Sequence, residues 1–446
     1  MPKRKHEFRD PVHGFITCTP EERKVINSWP LQRLRCIHQL ASTFLLYPGA
    51  THRRFEHSLG VMELATRIYD TLMDKDNNWD ALSEETRNSI PKLEADPGYW
   101  RKVLRMAALC HDCGHLPFSH GAEALLPKGM SHEHLTWNII LSDAMQRFWD
   151  ELNIKALDVA KIAVGPKDAA KINPGIQYST TESIVAEIVV GEVFGADRMD
   201  YLIRDSLHTG VAYGTFDFAR LISTLRLLPK PPEGRKEGDQ SFEPEIGVEY
   251  GGLKTAESLI MARYLMFSQV YFHHVRRIYD RHLVDFMTAH YGDTYPTDLE
   301  PFMNITDNEV LVELRKAADD KNRPGHDAAK RFLRRGHFKM LYQLTFEDKR
   351  KNPDGLKDMY KAACDKFGKD QVVLDKVGKE ARLGKSFPVW ANDGSVPSLT
   401  ESELLQNFPD IQVGYIFVAP DSCPAATRWL KSAKGTFFPD DQGGNA

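Results

Sequence analysis

Histidine and aspartate residues in the first half of the sequence recur in a pattern that could bind a metal ion. The segment CHDCGHLPFSH at residues 110–120 contains the adjacent pair His111-Asp112, an imidazole next to a carboxylate. Both groups are common ligands of first-row transition metals. His57 and Asp197, each expected near the start of another helix, would complete a set of two His and two Asp. Ligands of this kind without thiolate suit Fe, Mn, Zn, Ni or Co, with positions left for water or phosphate.

The spacing of apolar residues indicates which elements would position these ligands. Helical spacing is present in residues 59–72, 99–109, 135–141 and 184–193. Adjacent side chains on a helix diverge by about 100°, so His111 and Asp112 reach one ion most easily where a helix ends. We therefore expect a helix over residues 99–113, ended by Gly114 as a left-handed cap.

Polar residues after Asp197 would form a functional face beside such a metal. At helical spacing these are Asp197, Asp200, Tyr201, Arg204 and Asp205. Three arginines close in sequence to the expected ligands suit bidentate contact with phosphate, namely Arg54, Arg198 and Arg204. A long helical pattern over residues 253–287 fits two helices or one bent helix. One of its faces could hold a phosphate and a base or sugar, or belong to the core, and comprises Arg263, Phe267, Tyr271 and His274.

Some of these residues have purely structural interpretations. Cys110 and Cys113 lack the partner pair of a zinc site, which favours a buried structural role. His134 fits a surface or cap position better than a ligand position. Arg35 could belong to a solvated face.

The composition excludes several classes of protein. The chain has 446 residues, of which 42% are hydrophobic and 27% charged, enough apolar material for a large core. The net charge of −4 gives no general indication of nucleic-acid binding, and six cysteines are too few for a disulfide framework. The sequence shows neither a secretory signal nor an apolar run of the roughly 20 residues that cross a bilayer. These features predict a soluble cytoplasmic protein without membrane contact.

The expected fold is mainly α-helical. Residues 1–290 are predicted to form an all-helical body that includes a helix at 218–228, a loop at 230–240 and a short strand at 245–250. Residues 291–446 are predicted to form a smaller α+β lobe. Within it we expect helices at 308–318 and 327–344, strands at 371–377, 387–391 and 412–418, and a mobile end at 440–446.

Five blocks of the sequence resemble the HD-domain metal-dependent phosphohydrolases, and within them the SAMHD1-like and dGTPase-like dNTP triphosphohydrolases. The family's H…HD…D ligand pattern is matched by His57, His111, Asp112 and Asp197. In chain order the blocks are DPVHGFI, QRLRCIHQL, RRFEHSLGV, HDCGHLPFSH and ADRMDYLIRDSLHTG. The resemblance implies an HD-domain helical bundle and hydrolysis of a dNTP to deoxynucleoside and intact triphosphate. It also implies one transition metal at the four ligands, with Mg²⁺ accompanying the triphosphate.

The resemblance assigns roles to further positions. His115 and His132, beside Asp112, would serve the in-line attack and protonate the leaving 5′ oxygen. His120 would contact phosphate or support a metal ligand. Positions that would hold the triphosphate are Arg54, Arg198, Tyr201 and Arg263, whereas Gln39 and Asp205 would contact the sugar 3′-hydroxyl. Tyr271 would pack on the deoxyribose and leave no room for a 2′-hydroxyl.

The resemblance further implies a homo-oligomer, as dimer, tetramer or hexamer, and a regulatory nucleotide site between subunits. Gln32 and Arg35 match that site, but Asn27 stands where activated relatives have a guanine-recognising aspartate, and Phe267 stands where one relative has histidine. Two other functions stay open. One is hydrolysis of another phosphoester, such as a nucleoside monophosphate, a cyclic dinucleotide or a nucleic-acid end. The other is a non-catalytic sensor of nucleotides or single-stranded nucleic acid.

Overall fold

A computed structural model of the protein describes residues 5–74, 96–229, 244–292, 295–379, 387–393, 402–406, 409 and 411–439. The loop expected at 230–240 and the mobile end expected at 440–446 lie outside these residues.

In chain order the helices are α1 (Pro20–Ile26), α2 (Trp29–Arg33), α3 (Arg54–Met73), α4 (Pro97–Cys110), α5 (His132–Ile140), α6 (Asp143–Leu152), α7 (Ala156–Val164), α8 (Pro166–Ile172), α9 (Thr180–Val190), α10 (Ala196–Thr209), α11 (Phe218–Thr224), α12 (Leu253–Met266), α13 (His274–Tyr291), α14 (Leu299–Met303), α15 (Asp307–Asp319), α16 (His326–Leu333), α17 (Phe346–Lys351), α18 (Gly355–Phe367), α19 (Glu403–Gln406) and α20 (Cys423–Phe437). The strands are β1 (His6–Asp10), β2 (Gly14–Cys18), β3 (Leu225–Pro229), β4 (Pro244–Glu249), β5 (Lys339–Gln343), β6 (Val372–Lys379), β7 (Val389–Trp390) and β8 (Ile411–Val418).

The chain is mainly α-helical, as predicted, and divides into two compact units. The first comprises the described residues of Met1–Met266, Thr294–Asn308 and Arg382–Phe408. The second comprises those of Phe267–Asp293, Glu309–Ala381 and Pro409–Ala446. A division of the chain into domains at about residue 290 stays a prediction. No described helix is both long enough and apolar enough to cross a membrane.

Helix α3 lies at the centre of the first unit. Most of its residues are buried, because it packs against both α4 and α10. It begins at a capping box in which the Arg53 backbone N–H donates to Glu56 Oε1 at 3.0 Å. This packing brings the first turn of α3, the end of α4 and the start of α10 into one place. All four expected metal ligands lie on these three segments.

Two small sheets correct the prediction of an all-helical body over residues 1–290. Strands β1 and β2 form an antiparallel hairpin in which His6 pairs with Cys18 and Asp10 with Gly14. The second sheet has the order β3-β4-β7, with β3 antiparallel to β4 and β4 parallel to β7. Strand β4 confirms the strand expected at 245–250. The helix expected at 218–228 is wrong after Thr224, because the apolar run LRLL at 225–228 fits a buried strand as well as a helix.

The long helical pattern of residues 253–287 is two helices. Helix α12 ends at Met266, a π-helical turn follows over Phe267–Tyr271, and α13 begins at His274 with His273 as its N-cap. The predicted shared face of Arg263, Phe267, Tyr271 and His274 is therefore wrong, since that spacing assumes one regular helix.

The second unit contains a three-stranded antiparallel sheet of order β5-β8-β6. Strands β6 and β8 confirm the predictions at 371–377 and 412–418. Apolar side chains of the sheet and of helices α18 and α20 form a core, which includes Tyr342, Leu356, Met359, Ile416 and Phe438. The helix expected at 327–344 is wrong beyond Leu333, because residues 339–343 pair with β8 instead.

Candidate functional site

The first unit brings the four predicted metal ligands together. Atoms of His57, His111 and Asp112 that could bind a metal lie within 4.8 Å of one another. Asp197 Oδ1 lies 3.1 Å from His57 Nε2 and 3.5 Å from His111 Nε2. His57 is in the first turn of α3, His111 and Asp112 follow α4, and Asp197 is in the first turn of α10. Three segments distant in sequence thus contribute to one cluster.

The donor atoms of the cluster fit a divalent transition metal. His111 Nδ1 lies 2.7 Å from the Ala108 carbonyl oxygen, which can only accept, so Nδ1 carries the proton of the neutral ring. The lone pair of Nε2 therefore faces the cluster. This buried nitrogen has no hydrogen-bond partner among the described residues, as expected of an atom that is meant to bind something else. Two imidazole nitrogens with aspartate oxygens suit Mn, Fe, Co, Ni or Zn.

Charge in the cluster is unevenly distributed. Burial alone would lower the pKa of His57, but hydrogen bonds to Asp197 and Asp200 raise that pKa to about 10. Burial alone would raise the pKa of Asp112, but the charge of Arg54, followed by the neighbouring His111 and the hydrogen bond to His115, holds that pKa well below the usual range. The imidazoles are thus surrounded by carboxylates that stay ionised at neutral pH. Such an arrangement favours a cation between them.

The turn that presents His111 and Asp112 differs from the expected cap. Helix α4 ends at Cys110, and the φ of Gly114 is not positive, so the predicted left-handed cap is wrong. Position 114 requires glycine because a side chain there would overlap the backbone of α5. A Cβ atom on Gly114 would lie 2.3 Å from both the His132 carbonyl oxygen and the Thr136 backbone nitrogen. Thr136 Oγ1 also accepts from the Gly114 N–H and donates to the His111 carbonyl, so α5 fixes the turn.

We expect Gly114→Ala to lower the free energy of unfolding by about 1–3 kcal/mol, the usual range for overpacking a close contact. The added methyl group meets backbone atoms, which cannot rotate away, and α5 must shift relative to the turn. Urea unfolding would measure the loss of stability, and a hydrolysis assay would measure the effect of the shifted turn on activity. Gly435→Ala is a matched control, because a Cβ atom there meets nothing within 4 Å. Wild-type stability of Gly114→Ala would show that α5 moves without cost.

The two predicted catalytic histidines lie side by side next to Asp112. The rings of His115 and His132 stack with centroids 3.8 Å apart, and His115 Nε2 lies 3.2 Å from Asp112 Oδ1. Burial and the charge of Arg54 hold the pKa of His115 well below its usual value. Burial also acts against protonation of His132, but its hydrogen bond to Glu123 raises the pKa. One imidazole of the pair therefore favours the neutral form and the other the protonated form.

Several predicted phosphate-binding groups lie near the cluster. Arg54 donates through Nη1 to Asp112 and through Nε to Ser119 Oγ at 3.0 Å. Arg198, on the first turn of α10, has a buried Nη1 without a hydrogen-bond partner among the described residues. Burial lowers the pKa of Arg263, and the nearby positive charge of Arg198 lowers it further. Two half-buried guanidinium groups that repel each other favour an anion beside them.

Arg204 is not available for phosphate, contrary to prediction. Its side chain is fully buried and bonds to Asp200 and Asp10. The partner Asp10 is 194 residues away in the sequence, so its contact with Arg204 has no local sequence signal.

The two residues expected to contact the sugar are both buried. Gln39 Oε1 has no hydrogen-bond partner among the residues described, whereas Asp205 accepts from His52 Nε2 at 2.7 Å. Tyr271 belongs to the second unit, where its ring packs edge-on against Phe267. The side chain of His120 lies outside the described part of the chain.

Family models, related sequences and a solved structure all match this chain. The HD-domain model matches residues 54–164 and the HD-associated-region model matches residues 216–408. The uncharacterized protein YwfO of Bacillus subtilis is 30% identical over 354 residues, covering 75% of this chain and 71% of YwfO. This chain belongs to the HD-domain phosphohydrolase family. A crystal structure of a hypothetical protein of this fold from Aquifex aeolicus is 30% identical, with a TM-score of 0.76, and the match covers 96% of this chain and all of that one.

Some relatives in the family have a named activity. The deoxynucleoside triphosphate triphosphohydrolases SAMHD1 of Gallus gallus and Homo sapiens are each 28% identical to the chain, over 375 and 369 residues. The matches cover 76% and 75% of this chain but 56% and 54% of the two relatives. The chain thus spans just over half the length of these enzymes.

The residues expected at a regulatory nucleotide site lie within and just after the first two helices. Asn27 is the exposed C-cap of α1. Gln32 donates to the Ile26 carbonyl at 2.8 Å and accepts from Arg35 Nε at 2.9 Å. The Arg35 guanidinium lies over the Phe55 ring at 3.6 Å, so this residue is more than a solvated charge. A role of these three residues in nucleotide binding stays a prediction.

Two other expectations for this family member are met. His134 Nδ1 accepts from the Ser131 N–H at 3.2 Å within the capping box of α5, which confirms the predicted cap position. Cys110 and Cys113 are buried free thiols, in line with the structural role expected of them. Burial raises the pKa of Cys113 to about 12, so this thiol is not a reactive thiolate at neutral pH.

Sequence reasoning missed several polar residues that support the site. Glu123 contacts His132. Asp200 belongs to the predicted polar face of α10, but its contact with His57 was not predicted. Asp307 accepts from His38 Nδ1 at 2.6 Å and from the Phe118 N–H at 2.7 Å, which holds Phe118 in a left-handed conformation. The blocks DPVHGFI and QRLRCIHQL included His13 and His38 without a role. Their partners lie far away in the sequence, so only the fold identifies them.

Proposed function

We propose that this chain hydrolyses deoxynucleoside triphosphates to deoxynucleosides and intact triphosphate. The observation that carries the proposal is the buried guanidinium nitrogen of Arg198, which has no protein partner among the described residues and lies on the same helical turn as Asp197. A metal cluster with one unsatisfied guanidinium nitrogen, and with Arg54 bonded to a proposed ligand, favours a substrate that carries phosphates. The named activity of the SAMHD1 relatives supports the same substrate class.

The protein would contribute the following chemistry. His57, His111, Asp112 and Asp197 would hold one transition metal, which when bound supplies Lewis acidity and lowers the pKa of a water molecule. Hydrolysis forms a bond from water oxygen to the α-phosphorus and breaks the bond from that phosphorus to the 5′ oxygen. His115, kept neutral by burial and Arg54, would accept the proton of water. His132, kept protonated by Glu123, would donate a proton to the leaving 5′ oxygen.

Other residues would position the substrate. Arg54, Arg198, Tyr201 and Arg263 would hold the triphosphate with its Mg²⁺, and His120 would contact phosphate or support a ligand. Gln39 and Asp205 would contact the 3′-hydroxyl, and Tyr271 would pack on the deoxyribose. We further propose a cytoplasmic homo-oligomer in which Asn27, Gln32 and Arg35 bind an activating nucleotide.

Product analysis in ¹⁸O-labelled water tests this function. Purified protein would be incubated with each dNTP, singly and in mixtures, with Mg²⁺ and Mn²⁺, and the products identified by mass spectrometry. We expect deoxynucleoside and intact triphosphate, with one ¹⁸O in the triphosphate and none in the deoxynucleoside. Activity only in mixtures would support the activator site. Release of a monophosphate with pyrophosphate, or ¹⁸O in the deoxynucleoside, would overturn the proposed cleavage.

A further inference from the structure

The turn between β1 and β2 is built to hold His13 in one position. Asp10 Oδ1 accepts from the Val12 N–H at 2.9 Å and from the His13 N–H at 2.8 Å. Gly14 follows with a φ of 79°, a conformation that glycine adopts without strain. The turn therefore has a fixed backbone, although none of its residues is among the proposed ligands or catalytic groups.

His13 reaches from this turn into the interior of the first unit. Its Nε2 lies 2.6 Å from Asp200 Oδ1 on α10, and both side chains are fully buried. The other ring nitrogen, Nδ1, is also buried and has no hydrogen-bond partner in the described part of the chain. A proton on Nδ1 would be an unsatisfied buried donor, so the proton belongs on Nε2. His13 thus donates through Nε2 to Asp200.

Arg204 fixes the same carboxylate from a second side. Its Nε donates to Asp200 Oδ2 at 2.8 Å and its Nη2 donates to Oδ1 at 2.9 Å. Arg204 Nη1 also donates to Asp10 Oδ2 at 2.8 Å, which links the hairpin turn to α10. Space is tight, since a Cβ atom on Gly60 would lie 2.1 Å from Asp200 Oδ1 and 2.3 Å from Arg204 Nη2. Asp200 is therefore held in one orientation.

Asp200 directs the first of the proposed metal ligands. Its Oδ2 lies 2.8 Å from His57 Nδ1, while His57 Nε2 faces Asp112 and Asp197. A carboxylate can only accept, so Nδ1 of a neutral His57 carries the proton and Nε2 presents its lone pair to the cluster. Carboxylates that contact a ligand histidine in this way typically change metal affinity by about 10–100-fold.

We propose that Asp200 is the positioning residue for His57, and that the hairpin residue His13 sets the metal affinity of the site through it. This inference rests on the metal centre of the proposed function. The hairpin turn would then support a ligand on another element, which explains why Asp10 and His13 are buried although they are polar.

Metal titration of variants tests the inference without an activity assay. Metal-free protein would be titrated with Co²⁺, and the dissociation constant obtained from the visible absorption and from competition with a chelator. We expect Asp200→Asn to raise the Kd by about 10–100-fold and His13→Ala by about 10-fold. His13→Gln, whose amide can still donate to Asp200, should restore the Kd to within about 3-fold of wild type.

His52→Ala is the matched control. His52 is an equally buried histidine, and its Nε2 donates to Asp205 of α10 at 2.7 Å. In the described part of the structure, Asp205 does not hydrogen-bond to His57. We expect His52→Ala to bind Co²⁺ with the wild-type Kd. This should hold even if the variant loses as much stability as His13→Ala. If His13→Ala does not fold, His13→Phe, which keeps a ring but cannot donate to Asp200, provides the same comparison.

The outcomes separate the two proposals. A wild-type protein that binds Co²⁺, with an unchanged Kd in Asp200→Asn and in His13→Ala, would overturn the positioning role and leave the metal centre intact. Equal weakening by His52→Ala and His13→Ala would also overturn it, because the effect would then follow general destabilisation. A wild-type protein that does not bind Co²⁺ would overturn the metal centre itself, and this inference with it.

Discussion

Asp112→Asn is expected to lower kcat/KM for dNTP hydrolysis by about 10³-fold or more and to remove most of the bound metal. Asp112 contacts more of the site than any other proposed ligand. Its Oδ2 accepts from Arg54 and lies 3.7 Å from His57 Nε2, while its Oδ1 lies 3.2 Å from His115 and 3.3 Å from His111. Asparagine keeps the size but loses the charge that these groups surround.

Loss of activity could also follow from loss of stability, and the experiment must separate the two. Removing one partner of the buried Arg54–Asp112 pair would cost about 3–5 kcal/mol of folding free energy. Glu182→Gln is the matched control, because it breaks the comparably buried Lys161–Glu182 pair between α7 and α9. We expect a similar drop in urea stability but wild-type kcat/KM wherever that variant is folded.

Metal content by mass spectrometry and kcat/KM under saturating Mn²⁺ would be measured on both variants. A folded Asp112→Asn protein with full metal content and wild-type turnover would remove Asp112 from the metal site. Loss of activity in Glu182→Gln to the same degree would instead attribute the effect to unfolding.

The metal cluster could be anticipated from the sequence for a simple reason. A His-Asp pair at a helix end, with single ligands near the starts of two other helices, leaves few ways to assemble a four-ligand set. The four residues lie together as expected. Local signals also located the caps, such as His134 at the start of α5.

Contacts between distant segments could not be anticipated in this way. The role of Gly114 depends on the backbone of α5, and that of Arg204 on Asp10 in the hairpin turn. The break between α12 and α13 contains no proline, so apolar spacing continues across it. Residues 225–228 and 339–343 are apolar enough to fit helix or strand, and strand pairing decides between them.

His132→Gln is expected to lower kcat by about 10²–10⁴-fold, the usual contribution of a general acid, with less effect on metal content. Glutamine keeps a polar side chain near Glu123 but cannot donate a proton to a developing oxyanion. Thermal unfolding would verify that the variant is folded and as stable as wild type. Metal content measured on the same sample would distinguish this variant from Asp112→Asn.

The pH dependence identifies His132 more specifically. The carboxylate of Glu123 raises the pKa of His132, so the protonated donor is present below that pKa and is lost as pH rises through it. Glu123→Gln removes this stabilisation and lowers the pKa. We therefore expect the alkaline fall of kcat in Glu123→Gln to move to lower pH, while kcat at the acidic end of the profile stays closer to wild type.

The two variants together give a decisive comparison. In His132→Gln the alkaline limb that depends on His132 should disappear, whereas in Glu123→Gln it should only move. Glu133 also lies near His132, at 3.4 Å from Nδ1, so Glu133→Gln should shift the limb in the same direction but less. If the alkaline limb is unchanged in all three variants, the proton that reaches the 5′ oxygen comes from another group. His132 would then act through its packing against His115.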